Sequence, residues 1–253
     1  MTHKTILITG ASAGIGQHLA VEFARRGYHL ALTARRFDAL QALQKTITTA
    51  YPNVRVEIRA MDVTALDTVG PCIEELATSL GGLDIVVANA GIGDGGGAIG
   101  TGGFARDAAV IQANVLGAMA TIDAGIAVFR RQQRGQMVAI SSVAAARGLP
   151  GAGAYSASKA AIATYAEAAR AELFHTPIRV TTLFPGYIDT AINQRMKSRP
   201  FLVSVEEGAK RITNLIDRRV QASAVPFFPW GFVIPLMRRL PLSILAKQNP
   251  FAE

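Results

Sequence analysis

Short apolar, β-branched runs alternate with longer Ala/Leu-rich stretches along most of this chain. The runs at 5–9, 29–33, 54–61, 83–89, 136–141, 179–184 and 224–228 predict strands. The stretches at 15–26, 38–50, 65–80, 104–134, 152–175 and 205–219 predict helices, the fourth long enough to be broken. Parallel neighbours need crossover connections, so this alternation predicts an α/β fold with one parallel sheet of seven strands and helices on both faces. The third run alternates Val54, Val56 and Ile58 with Arg55, Glu57 and Arg59. One polar side predicts a position at the sheet edge. Pro177 marks the end of the fifth helix, and Ser204-x-x-Glu207 reads as a capping box opening the sixth.

Composition narrows this picture. The 253 residues are half hydrophobic and 17% charged, enough for one large core. Residues 1–228 are read as one catalytic domain and 229–253 as an apolar, basic extension of it. Cys72 is the single cysteine, and His3, His18, His29 and His175 lack ligand spacing, so neither a disulfide nor a bound metal is expected. The N-terminus runs into an apolar strand without signal-peptide features, which predicts a cytoplasmic protein. Of the formal charge of +8, most sits beyond residue 194, with no basic run interleaved with aromatics. Nucleic acid is not an expected partner.

Candidate chemistry begins at the first strand, which runs into Thr9-Gly10-Ala11-Ser12-Ala13-Gly14-Ile15-Gly16. Glycines allow a tight turn and close approach of backbone to a pyrophosphate, and the following helix offers its N-terminal amides. After the second strand the chain reads Thr33-Ala34-Arg35-Arg36, where many NAD sites carry an acid. Guanidinium forks suit a 2′-phosphate, so NADP(H) is the expected cofactor; the alternative is a pair of solvated arginines before a helix. Asp62 follows the third strand as a candidate partner for the adenine amino group, and Asn89-Ala90-Gly91 follows the fourth at the ligand-binding rim.

Tyr155 and Lys159 stand four apart in a predicted helix, so both heads can converge on one point. Alone, such a pair is an ordinary feature of helices. A nearby ammonium and a helix N-terminus would lower the phenol pKa from about 10 toward the working pH, as acid–base chemistry at a carbonyl requires. Ser142, at the end of a strand-like segment, could hold the same oxygen.

Together these stretches resemble the short-chain dehydrogenase/reductase family in its single-domain form. The resemblance rests on Thr9-Gly10-x-x-x-Gly14-x-Gly16, Asp62-Val63, Asn89-Ala90-Gly91, Ser142 with Tyr155-x-x-x-Lys159, and Pro185-Gly186-x-Ile188-x-Thr190. It spans roughly residues 4–190 and implies a Rossmann-like, doubly wound fold. It implies Tyr155 as acid/base, Lys159 as the residue lowering its pKa and binding the nicotinamide ribose, and Ser142 as the hydroxyl steadying the substrate oxygen. Asn114 is similar to the family's asparagine that holds a relay water. The cofactor set implied or read directly is Gly10, Ser12, Gly14, Ile15, Gly16, Arg35, Arg36, Asp62, Val63, Asn89, Ala90, Gly91, Tyr155, Lys159, Pro185, Gly186, Ile188 and Thr190. The family also implies a homodimer or homotetramer.

The expected reaction is hydride transfer between nicotinamide C4 and a carbonyl or alcohol carbon. Gly91 to Gly103 holds eight glycines in thirteen residues, which reads as a mobile loop beside the site or, equally, as low complexity or simple disorder, and 191–203 is where the family places its substrate lid. The stretch from Pro229 to Lys247 is apolar and basic together. Three occupants stay open for it: the substrate pocket, a subunit interface, or an anionic membrane surface contacted peripherally. A bulky apolar ketone or aldehyde, lipid-like or cyclic, is the favoured substrate. A non-catalytic NADP(H)-binding redox sensor acting through oligomer or membrane contacts is the alternative function.

Overall fold

A computed structural model describes residues 4–93, 97–194 and 198–246. Its centre is a sheet of seven parallel strands in the order β3-β2-β1-β4-β5-β6-β7. These are β1 (Thr5–Thr9), β2 (His29–Ala34), β3 (Val56–Ala60), β4 (Ile85–Ala88), β5 (Gly135–Ile140), β6 (Ile178–Pro185) and β7 (Ala222–Val225). The half-polar strand β3 occupies one edge, as its alternation predicts. Central β1 is buried along its whole length, as a strand covered on both faces is.

Helices cover the two faces by the parity of the strand residues. On one, Ile6, Ile8, Leu30 and Leu32 meet Leu19 and Phe23 of α1 (Gly14–Arg25), Leu40 of α2 (Phe37–Ala50), and Ile212 and Ile216 of α7 (Val205–Asp217). On the other, Leu7, Ala31 and Val86 meet Ile73 and Leu76 of α3 (Leu66–Leu80), Ile122 and Phe129 of α5 (Ala118–Gln132), and Ile162 of α6 (Gly153–Glu172). Each fully buried Leu, Ile, Val or Phe among them contributes roughly 1.5–3 kcal/mol, which fixes the helices on the sheet.

The predicted long helix at 104–134 is interrupted. After α4 (Phe104–Ile111) the backbone widens into a π-helical turn at Gln112–Gly117, then resumes as α5. Taken together, Phe104–Gln132 is apolar and long enough to cross a membrane, yet Ile122, Val128 and Phe129 are buried against the sheet.

The C-terminal region departs from expectation. The strand expected at 224–228 stops at Val225, and after Pro226 the chain turns into α8 (Phe227–Arg239), followed by α9 (Leu242–Ala246). The backbone kinks at Phe228 (φ -94°, ψ 128°), so Pro229 opens the helix proper, where its missing N–H is no loss, while Pro235 lies inside the helix on its exposed side. The capping box at α7 is half formed. Ser204 Oγ accepts from Glu207 N at 3.2 Å, but the Glu207 carboxylate points forward and accepts from Arg211 Nε at 2.6 Å.

Candidate active site

A cleft of ≈ 1010 Å³ opens along the C-terminal ends of the strands, spanning the point where the strand order reverses between β1 and β4. Gly10, Ser12, Gly14 and Ile15 form one stretch of its wall, Arg35, Arg36, Asp62 and Val63 another, and Asn89, Ala90 and Gly91 the floor. Ser142, Tyr155 and Lys159 line the far end, with Pro185, Gly186, Ile188 and Thr190. Residues scattered from position 10 to 190 therefore meet in one cavity.

The turn after β1 is shaped for close approach. Gly10 has φ +68°, and a Cβ there would lie 2.8 Å from Ala90 Cα. Gly14 has φ +55° and opens α1 toward the cleft. Thr9, quoted above only as the start of the motif, locks this turn to the next strand. Its Oγ1 donates to Val87 O and accepts from Asn89 N and Ala90 N, while Asn89 Nδ2 donates to Thr9 O at 2.9 Å. Gly16, expected among the nucleotide contacts, does not line the cleft. A Cβ on it would fall 2.4 Å from Gly10 O, so its role is to let α1 pack onto the turn.

Arg36 folds across the same turn, its Nη2 donating to Ser12 O at 3.1 Å and Ser12 Oγ at 3.3 Å. Arg35 and Arg36 are both exposed. Asp62 Oδ1 accepts from Thr64 N and Thr64 Oγ1 at 2.9 and 2.8 Å. Burial works to raise the Asp62 pKa, but the two Thr64 bonds and the Arg35 charge outweigh it and hold the carboxyl below its usual range.

Asn114, expected with the catalytic group, also stands behind the wall rather than in it. It is buried within the π-helical turn, and its carboxamide clips one residue: Oδ1 accepts from Ile92 N and Nδ2 donates to Ile92 O, each at 2.8 Å. Nδ2 also donates to Ser158 Oγ at 3.2 Å. Gly91 lies between Asn114 and Lys159, and a Cβ there would be 2.9 Å from Asn114 Oδ1.

Ser142 caps a 3₁₀ turn at Val143–Ala146 rather than ending a strand, its Oγ accepting from Ala144 N at 3.1 Å. Tyr155 and Lys159 sit in the first two turns of α6. Lys159 is held from two sides: its Nζ donates to Ile140 O at 3.0 Å and its carbonyl accepts from Ser141 Oγ at 2.8 Å. Burial lowers the Lys159 pKa to about 8. The expectation of a depressed Tyr155 pKa is not met. Burial pushes the phenol above its ordinary value, and the hydrogen bond with Ser142 offsets this only in part. The buried hydroxyl therefore keeps its proton at neutral pH.

Sequence reasoning missed Thr64, Ile92, Gln112, Ile192 and Asn193, which also line the cleft. Thr64 and Gln112 fall outside the motif spacing, whereas Ile92 lies in the glycine-rich stretch and Ile192 and Asn193 in the expected lid, where the sequence marked the region but not the residue. Of the expected lid at 191–203, Arg195, Met196 and Lys197 lie outside the described residues. Val203 pairs with Ile188 in an isolated bridge, and Arg199 Nη1 donates to Asp189 Oδ1 at 2.6 Å.

Residues 4–200 match the family model described as short chain dehydrogenase. An uncharacterised oxidoreductase of Mycobacterium tuberculosis is 38% identical over 242 residues, covering 95% of each chain. An 11-beta-hydroxysteroid dehydrogenase 1A of Arabidopsis thaliana is 38% identical over 192 residues, 76% of this chain and 54% of that one. Among solved structures, an alcohol dehydrogenase from the archaeon Thermococcus sibiricus, complexed with 5-hydroxy-NADP, superposes with a TM-score of 0.80 at 28% identity. That match covers 88% of this chain and 95% of the other. The chain belongs to the short-chain dehydrogenase/reductase family, and with it to the oxidoreductases that bind a nicotinamide cofactor and a small-molecule substrate.

Proposed function

We propose that this protein is an NADP(H)-dependent reductase of bulky, apolar ketones or aldehydes, lipid-like or cyclic. The observation that carries the proposal is the shared cleft: Ser142, Tyr155 and Lys159 line the same cavity as the glycine turn and the Arg35–Arg36 pair.

A dinucleotide fits these residues. The positive φ of Gly10 and Gly14 makes a turn in which backbone, not side chain, meets a pyrophosphate, and α1 presents its N-terminal amides there. Arg35 and Arg36, with the Ser12 hydroxyl beside Arg36, form a cationic end suited to a 2′-phosphate. Pro185, Gly186, Ile188 and Thr190 would receive the nicotinamide end. Bound there, the reduced cofactor supplies the hydride.

The protein's own contribution is orientation and a proton. Tyr155 holds that proton, because burial keeps its phenol neutral, and gives it to the substrate oxygen as charge develops. Ser142 Oγ is the second donor for that oxygen. Lys159 is positioned by Ile140 O and Ser141 Oγ to bring a cation beside Tyr155, its Nζ 5.8 Å from the phenol ring centroid. Asn114 supports the group by pinning Ile92 at the cleft rim. A protonated phenol is the form from which the reducing step starts.

The substrate class draws on apolar side chains in the cleft, Ile92 and Ile192 among them, and on exposed Phe201 and Leu202 in the expected lid stretch. The steroid dehydrogenase named among the relatives is in keeping with such a substrate. The test is NADPH oxidation by the purified protein against carbonyl compounds graded in chain length and ring size, with NADH in parallel. Turnover rising with apolar bulk and faster with NADPH is expected, and Tyr155→Phe abolishes it. Near-normal turnover by Tyr155→Phe sinks the mechanism, and a preference for NADH sinks the cofactor assignment.

A further inference from the structure

Helix α8 touches both sides of the proton-donating end of the cleft without lining it. At its C-terminal end, Arg147 Nη1 donates to Met237 O and Arg238 O at 3.2 Å each and to Leu240 O at 2.5 Å. The last carbonyls of a helix have no intrahelical partner and carry the negative end of its dipole, so a guanidinium is well matched to them. Arg147 is no distant residue. It lies on the segment joining Ser142 to Tyr155, immediately after the 3₁₀ turn that Ser142 caps.

At the other end of α8, Trp230 is 4% exposed and lies against Gly186, where a Cβ would fall 2.2 Å from its Nε1. Its ring also meets Tyr187 and Phe201, with centroids 5.9 and 5.7 Å away. Between the two ends, Val233, Ile234 and Met237 pack with Val143, Ala224 and Tyr187 in a small apolar cluster separate from the two main cores. One helix thus grips the Ser142–Tyr155 segment through Arg147 and Val143, and the Pro185–Gly186–Tyr187 segment through Trp230.

The geometry points to α8 as a strap that sets the spacing between the proton donors and the segment receiving the nicotinamide, with Arg147 and Trp230 as positioning residues. This rests on the reductase function proposed above. Hydride and proton must reach adjacent atoms of one carbonyl, so the two segments have to keep register with each other. Strand pairing holds the two together as far as Ser141 N donating to Leu183 O at 2.8 Å; past that point the direct hydrogen bond between them is Ser142 Oγ donating to Pro185 O at 3.5 Å. The strap braces the two segments beyond the point where strand pairing ends. It also gives the C-terminal extension a role that its apolar character alone did not specify.

The test compares wild type, Arg147→Ala, Arg147→Lys and Trp230→Phe as full chains. Three quantities are read: kcat on the best carbonyl substrate, the dissociation constant of 2′,5′-ADP, which reports the adenosine half alone, and thermal unfolding. A misplaced register in the reacting groups lowers kcat on the order of 10²-fold for Arg147→Ala. Binding of 2′,5′-ADP at the remote end stays within about 2-fold of wild type. Arg147→Lys, which keeps a cation but loses the planar fork, falls between. A merely structural defect would instead lower the unfolding temperature and 2′,5′-ADP affinity together with kcat. An unchanged kcat in Arg147→Ala overturns the strap.

Trp230 is the single tryptophan of the chain, so its emission provides a readout that needs no turnover. Energy transfer from Trp230 to bound NADPH is expected in wild type and weaker in Arg147→Ala. Should no substrate turn over, the reductase assignment fails while this comparison still decides the strap, and equal transfer in the two proteins overturns it. If Arg147→Ala does not fold, Arg147→Lys carries the same comparison.

Discussion

Lys159 and Ile140 are joined across the floor of the cleft: the buried ammonium donates to the carbonyl that ends β5, at 3.0 Å. Burial lowers the lysine pKa to about 8 from an unfolded value near 10.5. The unfolded chain therefore binds a proton between those values that the folded chain has released, and stability contributed by this group rises with pH across that window. Relative to Lys159→Met, wild type is expected to gain roughly 2 kcal/mol between pH ~7 and ~9.5. Urea unfolding of both proteins at the two pH values measures it. Other titrating groups cancel in the difference, and a constant difference would show that Lys159 keeps an ordinary pKa.

Arg36 reaches Ser12 through both its carbonyl and its hydroxyl. Replacing Arg35 and Arg36 together by Ser removes the cationic end of the cleft. Hydrogen bonds to charged groups contribute about 1.5–3 kcal/mol, so affinity for NADPH should fall on the order of 10–100-fold while that for NADH changes little. Calorimetric titration with both nucleotides measures the ratio. An unaltered ratio would mean that the arginines are solvated surface groups.

Gly186 and Trp230 pack without space for a methyl group. Gly186→Ala is expected to destabilise the protein by about 1–3 kcal/mol through overpacking, and adding Trp230→Leu should recover part of it. Thermal unfolding of the two single variants and the double variant gives the coupling. Strict additivity would show that the alanine is accommodated by movement elsewhere.

Ser204 is the sole side-chain cap of α7, and Glu207 is turned toward Arg211. Ser204→Ala should therefore cost about 1 kcal/mol, and Glu207→Ala only about 0.3–0.5 kcal/mol, the size of an exposed i,i+4 pair. Chemical denaturation distinguishes this from a complete capping box, in which both substitutions would cost alike.

Much of this architecture is legible in the chain because the signals are local. The alternation of Val54, Val56 and Ile58 with charged residues predicts the edge position of β3, and the glycine turn and Tyr155-x-x-x-Lys159 predict which residues share the cleft. What is not legible depends on packing between distant segments. Gly16 fits the nucleotide motif by spacing, yet its need for glycine comes from Gly10 O and Asn89 Nδ2. Asn114 stands at the break that the length of its helix predicts, but the clip its carboxamide makes on Ile92 joins segments that no spacing relates. The upward displacement of the Tyr155 pKa follows from burial that no i,i+4 spacing reveals. Likewise the prolines around α8 are breakers by local rule, and the helix forms because Trp230, Ile234 and Met237 find a surface to cover.

The strand order has a consequence for how the chain is made. β1 lies between β2 and β4, and residues 35–84 separate its second partner from its first. A nascent chain that has emerged only as far as β3 has one side of β1 already paired and the other open, exposing an apolar strand edge of the kind that recruits foreign strands. That edge is closed only when Ile85–Ala88 leaves the ribosome. The open edge then passes to β4, β5 and β6 in turn, so the sheet grows outward from β1 with an apolar edge exposed at each step.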